Sequence, residues 1–77
     1  MTDVKLLDQL IEESGKTKTF LAKQCHLSSQ GFYLKRMGIN QFTSGEITIL
    51  CRELNIDDLE LKEAVFFAPE VDSESTA

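Results

Sequence analysis

The fold of this chain is decided by residues 17–32, TKTFLAKQCHLSSQGF, whose pattern is that of two short helices joined by a turn. Thr17 and Ser28 carry hydroxyl groups of the kind that cap helix N-termini. The stretch therefore predicts one helix after Thr17, a turn at residues 25–27, and a second helix from Ser28 to about Met37, which Gly38 ends. The apolar stripe of the first helix consists of Phe20, Leu21 and Cys25.

Three more helices are predicted on either side of this pair. Residues 4–14 have apolar side chains at helical spacing and end at Ser14-Gly15. Residues 43–46, TSGE, form a capping-box sequence that opens a fourth helix. Residues 57–60, DDLE, repeat the cap-plus-acid pattern and open a fifth helix, which runs to about Phe67 and is ended by Pro69. The expected fold class is all-α, a compact five-helix domain over residues 1–68.

Length and composition narrow the class of protein. The chain has 77 residues, which suffice for one small domain, and residues 69–77 are expected to be a disordered acidic tail. Two cysteines and one histidine are too few for a structural zinc site, and no catalytic motif is present. We expect no enzyme activity, no metal and no cofactor. No membrane-spanning run or signal peptide is evident, which predicts a cytoplasmic protein.

Charge is unevenly distributed along the chain, although its net value is -5. Residues 16–45 contain five basic residues and no acid, whereas residues 46–77 contain two basic and nine acidic residues. An acid-free block in an acidic chain predicts a local positive surface of the kind that attracts a phosphate backbone.

Residues 17–32, followed by Gly38-Ile39-Asn40, resemble the helix-turn-helix of the phage-repressor and Cro family. The resemblance extends over about residues 3–67. The matching positions are the Leu21-Ala22 pair of the family's second helix, the Leu27-Ser28 entry to its recognition helix, and the buried Phe32. Three positions depart from the family pattern. His26 stands where the family usually has a glycine with positive φ, Lys18 where it often has a glutamine, and Lys35 where many relatives have a buried aliphatic residue.

The resemblance implies a lambda-repressor-like domain, encoded by a phage or prophage, that binds double-stranded DNA sequence-specifically and regulates transcription. Its recognition helix, about residues 29–37, would enter the major groove. Gln30 suits adenine, whose edge it can contact with two hydrogen bonds. Tyr33 either contacts DNA or packs against helix four or a dimer partner. Base contacts are expected from Ser28, Ser29, Gln30, Tyr33 and Leu34; phosphate contacts are expected from Lys16, Lys18, Lys35, Arg36 and Asn40.

Helix five has more apolar surface than one stripe can bury in so small a core. Relatives in the family dimerise through their last helices, so the resemblance implies a homodimer on a roughly palindromic operator. The expected dimer interface consists of Leu61, Val65, Phe66 and Phe67. The alternative is that helix five packs back onto helix one of the same chain.

A different class of function is also open. The same scaffold could serve as a protein-interaction module, such as an antirepressor, an antitoxin or an inhibitor of a host factor. The acidic C-terminal region supports this alternative, because carboxylates repel DNA and attract a basic protein partner. The acid-free block favours DNA, because a module that mimics DNA has no need of it.

Overall fold

The computed structural model describes residues 1–69, in which every regular element is an α-helix. The helices are α1 (Val4–Ser14), α2 (Lys18–Gln24), α3 (Ser29–Arg36), α4 (Ser44–Glu53) and α5 (Leu59–Phe66). The expected all-α class and helix order are confirmed for these residues. The predicted tail lies outside the described residues except for Pro69. None of the five helices is long and apolar enough to cross a membrane.

Side-chain caps begin the helices where the sequence predicts them. The Thr17 hydroxyl accepts a hydrogen bond from the amide of Phe20 at 3.0 Å, and the Ser28 hydroxyl accepts one from the amide of Gly31 at 3.0 Å. At α4 both halves of the capping box are present. Each cap satisfies an amide that has no partner within its helix, which fixes where the helix starts.

Left-handed residues end the first four helices, at Gly15, His26, Gly38 and Asn55. After α2, His26 has φ 59°, and the amide of Leu27 donates to the carbonyl of Ala22 at 2.9 Å. This bond reverses the chain and directs it into α3. The turn between α2 and α3 therefore contains a left-handed residue, and that residue is a histidine.

All five helices contribute side chains to a single hydrophobic core. Phe42, from the loop between α3 and α4, contacts the rings of Phe32 and Phe66 edge-on, with centroids 6.0 and 5.8 Å away. The sequence pattern predicts only a loop at Phe42. The buried hydrophobic residues are Leu7, Ile11, Leu21, Ala22, Cys25, Phe32, Phe42, Ile47, Leu50, Leu54, Ile56, Val65 and Phe66.

The first three residues hold the end of α5 against α1. The amide of Asp3 donates to the carbonyl of Val65 at 2.7 Å, and Met1 and Ala68 are joined by hydrogen bonds in both directions. Val65 and Phe66 are consequently buried in the core of the chain. The prediction that these two side chains form a dimer surface is therefore wrong, and α5 packs on α1 as the alternative expects.

Candidate nucleic-acid interface

The candidate interface is the outer face of α3. Phe32 is 2 % exposed and fixes the rotation of the helix about its axis. Because neighbouring side chains on a helix lie about 100° apart, this rotation directs Ser29, Gln30 and Tyr33 outward, and all three are exposed. The predicted base-contacting residue Ser28 is also exposed and caps the helix, whereas Leu34 is half-buried.

A cleft of about 190 Å³ separates the start of α2 from the outer face of α3. Its polar lining consists of Lys18, Thr19, Ser29, Tyr33 and Arg36, and Phe32 is its one wholly apolar lining residue. The lining has two cationic groups and three hydroxyl groups and includes no carboxylate. Chemically, such a cleft can donate hydrogen bonds to an anion.

Three of the four cations expected to contact phosphate are in ion pairs within the fold. The ammonium of Lys35 lies 2.7 Å from the Glu46 carboxylate, and that of Lys16 lies 3.0 Å from Glu53 and 2.8 Å from its carbonyl oxygen. The guanidinium of Arg36 lies 2.7 Å from Asp8.

These pairs correct the expected charge of the acid-free block. Each of its three paired cations meets an acid from outside the block, so sequence-local charge overstates the positive surface. Lys16 and Lys35 are consequently poor candidates for phosphate contacts. Among the described residues, the cations of the block without an acidic partner are Lys18 and Lys23, both exposed.

The carboxylates in these pairs are stabilised in their charged form. Burial alone would raise the pKa of Glu46, but hydrogen bonds from Lys35 and Thr43 outweigh it and lower the pKa. The Lys16 hydrogen bond lowers the pKa of Glu53. The Glu46 carboxylate thus binds groups at two helices. It pairs with Lys35 of α3, and in the capping box of α4 it accepts a hydrogen bond from the backbone amide of Thr43 at 2.9 Å. This double role ties the end of α3 to the start of α4.

Asn40 lies beyond the end of α3, in the loop that follows Gly38. Its side chain is exposed. Its backbone N–H donates to the carbonyl of Leu34 at 3.1 Å, a hydrogen bond that closes the helix. The structure therefore places Asn40 at the opposite end of α3 from Ser29. Of the predicted site residues, it brings Lys18, Ser29, Tyr33 and Arg36 together in the cleft.

The apolar surface left for the predicted dimer interface, on α5 and the residue directly after it, is smaller than expected. Phe67 is 56 % exposed and Leu61 is half-buried, so these two residues still have apolar surface available. Leu59, at the start of α5, is 65 % exposed.

The two cysteines lie at core positions. Burial raises the pKa of the Cys25 thiol to about 11, and it also raises that of Cys51. Both thiols are therefore protonated and weakly nucleophilic at neutral pH. The described residues contain no cluster of side chains suited to holding a metal ion.

Sequence reasoning missed two residues of the interface. Thr19 lines the cleft but has no motif that singles it out. Asp8 reaches Arg36 across 28 positions of sequence, a separation at which pattern reasoning has no signal. Phe20, predicted in the apolar stripe of α2, is 39 % exposed and lies 6.0 Å from the Lys16 ammonium.

Comparison of the chain with protein-family models, with curated proteins and with solved structures finds no match.

Proposed function

We propose that this chain is a sequence-specific, double-stranded DNA-binding regulator of transcription, in which α3 enters the major groove. The observation that carries the proposal is the exposure of Ser29, Gln30 and Tyr33 together at the outer face of α3. Polar side chains at the start of an exposed helix are what base readout in the major groove requires.

The residue roles follow from their positions on α3. The side-chain amide of Gln30 contacts adenine twice, because its NH2 group donates to N7 and its carbonyl oxygen accepts from the N6 amino group. Ser28 and Ser29 accept or donate at neighbouring base edges. Tyr33, farther along the same face, contacts a phosphate or a base edge. Leu34 contributes its remaining exposed surface to a thymine methyl group.

The backbone contacts are expected mainly at the cleft between α2 and α3. Lys18 and Thr19 from α2 and Arg36 from α3 line this cleft with hydrogen-bond donors. Such contacts hold the protein in register on DNA without reading its sequence. Asn40 supplies one more contact, past the end of α3.

The positive φ of His26 supports a lambda-repressor-like helix-turn-helix, because the family requires a left-handed residue at this turn. The order of the five helices and the burial of Phe32 support the same fold. With this fold, the regulator belongs to the Cro or repressor type and is encoded by a phage or prophage.

A homodimer is part of the proposal, with Leu59 and Leu61 of α5 and Phe67 directly after it as its apolar contacts. Two copies would place their recognition helices about 34 to 36 Å apart, one turn of DNA. Sedimentation equilibrium tests this: Phe67→Ser should weaken self-association, and a wild-type mass that stays monomeric to high micromolar concentration would exclude the dimer.

The alternative is a protein-interaction module on the same scaffold. Two observations favour it: acids neutralise three of the five cations of the block, and Ile39 and Met37 expose apolar surface close to α3. An exposed apolar loop beside a helix of low net charge suits a protein partner better than DNA.

The deciding experiment measures binding to duplex DNA by fluorescence anisotropy between 50 and 200 mM salt. The proposal expects Gln30→Ala to relax selectivity at one base pair by about 1 to 3 kcal/mol. Lys18→Ala should weaken all sequences alike and reduce the salt slope by about 0.9.

Matched controls are the same substitutions at exposed α1 positions, Gln9→Ala and Lys5→Ala. Gln9→Ala should leave base selectivity unchanged, and Lys5→Ala should leave the affinity and the salt slope unchanged. If the wild-type protein binds no duplex at 50 mM salt, DNA binding is excluded and the interaction module becomes the better account. If Gln30→Ala and Lys18→Ala bind as wild type does, the site is assigned wrongly.

A further inference from the structure

Arg36 lies at the junction of two environments. One guanidinium nitrogen donates to the Asp8 carboxylate at 2.7 Å, and the guanidinium carbon lies 5.7 Å from the centre of the Tyr33 ring. The same side chain lines the cleft between α2 and α3. Arg36 is thus adjacent both to an acid of the same chain and to the surface that, under the proposed function, a DNA phosphate would contact.

The Asp8–Arg36 pair differs from the other two ion pairs of the block. The side chain of Asp8 is 40 % exposed, whereas those of Glu46 and Glu53 are 13 % and 15 % exposed. Glu46 is also held by the capping box. Asp8 is therefore the best hydrated of the three acids, and it loses least when its partner leaves, because water can replace the guanidinium. The Arg36 side chain is itself only 12 % exposed, so a phosphate would have to reach it through the cleft that it lines.

A phosphodiester and a carboxylate bind the same hydrogen-bond donors of a guanidinium. Both are anions whose oxygens accept hydrogen bonds from the planar fork of arginine. A guanidinium that donates to Asp8 has fewer N–H groups for a phosphate, and the Asp8 charge repels the backbone nearby.

We infer that Asp8 is an intramolecular competitor of DNA phosphate for the guanidinium of Arg36. The inference rests on the proposed function and adds an autoinhibitory contact to it. DNA binding then includes exchange of Arg36 from Asp8 to a phosphate in the cleft. Tyr33 keeps the guanidinium at the mouth of the cleft during this exchange.

The test is a double-mutant cycle between Asp8→Asn and Arg36→Gln, with the affinity for one duplex measured by anisotropy at 100 mM salt. Asp8→Asn should raise the affinity about fivefold, the upper range for a partly exposed pair. In the Arg36→Gln background the same change should raise it less than twofold. Circular dichroism establishes that every variant is folded.

Glu12→Gln is the matched control. Glu12 lies one helical turn from Asp8, and both acids line a second groove, which also contains Lys18 and Thr19. It removes the same charge without releasing an arginine, so it should change affinity less than twofold.

The outcomes separate this inference from the proposed function. If wild type binds DNA and Asp8→Asn lowers its affinity, or raises it equally in both backgrounds, or is matched by Glu12→Gln, the inference is overturned and DNA binding stands. If wild type and all variants fail to bind at 50 mM salt, the proposed function fails and the inference fails with it.

Discussion

Replacing His26 by glycine should stabilise the chain, because His26 holds a left-handed φ of 59° at the turn that presents α3. A side chain in this conformation costs roughly 1 to 2 kcal/mol, which glycine avoids. Glycine also makes the unfolded chain more flexible, a loss of about 0.4 to 1 kcal/mol. The expected net gain is about 0.7 kcal/mol, or roughly 4 °C in Tm for a domain of this size.

Thermal and urea unfolding followed by circular dichroism measure this gain. His26→Ala keeps a Cβ and removes the imidazole, so it should gain nothing if backbone conformation is the cause. Asn55→Gly, at the left-handed end of α4, should gain less, since asparagine tolerates this conformation better. A His26→Gly variant no more stable than wild type, or an alanine variant equally stabilised, would refute the reasoning.

Three other predictions concern stability and reactivity. Glu46→Gln should cost about 2 kcal/mol at pH 7, because it leaves a half-buried lysine unpaired. The lowered pKa of Glu46 means that its contribution to stability is fully present above about pH 4.5 and is lost as the pH falls through the lower folded-state pKa. In urea unfolding, the difference between wild type and Glu46→Gln should therefore shrink as the pH is lowered below 4.5; a difference that stays constant with pH contradicts this. Phe42→Leu should cost about 1 to 2 kcal/mol through lost edge contacts, whereas the exposed Phe67→Leu should stay within about 0.5 kcal/mol; similar losses at both sites would disprove the central position of Phe42. In thiol labelling of the native protein at pH 8, Cys25 should react far more slowly than Cys51, because it is buried and its pKa is about 11; equal rates before denaturation would be inconsistent with the packing.

Local features of the fold were accessible from sequence because they depend on neighbouring residues. The Thr17 and Ser28 caps involve amides three positions away, and the capping box of α4 spans the same distance. The left-handed end of α3 follows from a glycine that has no Cβ to clash. Such features leave a signature within a single turn of helix.

Long-range contacts were not accessible from the pattern. Phe42 stands in a loop, and only the meeting of α3 and α5 makes it a core residue. Val65 is buried in the core, and its carbonyl accepts a hydrogen bond from the amide of Asp3 at the other end of the domain.

The charge of the candidate interface could not be predicted from the sequence for the same reason. The acid-free block was visible in the sequence, but the partners of Lys16 and Arg36 lie 37 and 28 positions away. Charge counted along the chain is therefore a poor measure of charge on a small folded surface, where any acid is within reach of some other element.

The most direct test of DNA recognition by α3 is selection of bound fragments from a random duplex pool, followed by sequencing. Wild type should enrich one short motif containing adenine, as two inverted half-sites about one helical turn apart. The Gln30→Ala variant should enrich the same motif with that adenine position relaxed. A pool recovered without enrichment by wild-type protein, or an unchanged motif with Gln30→Ala, would contradict the account.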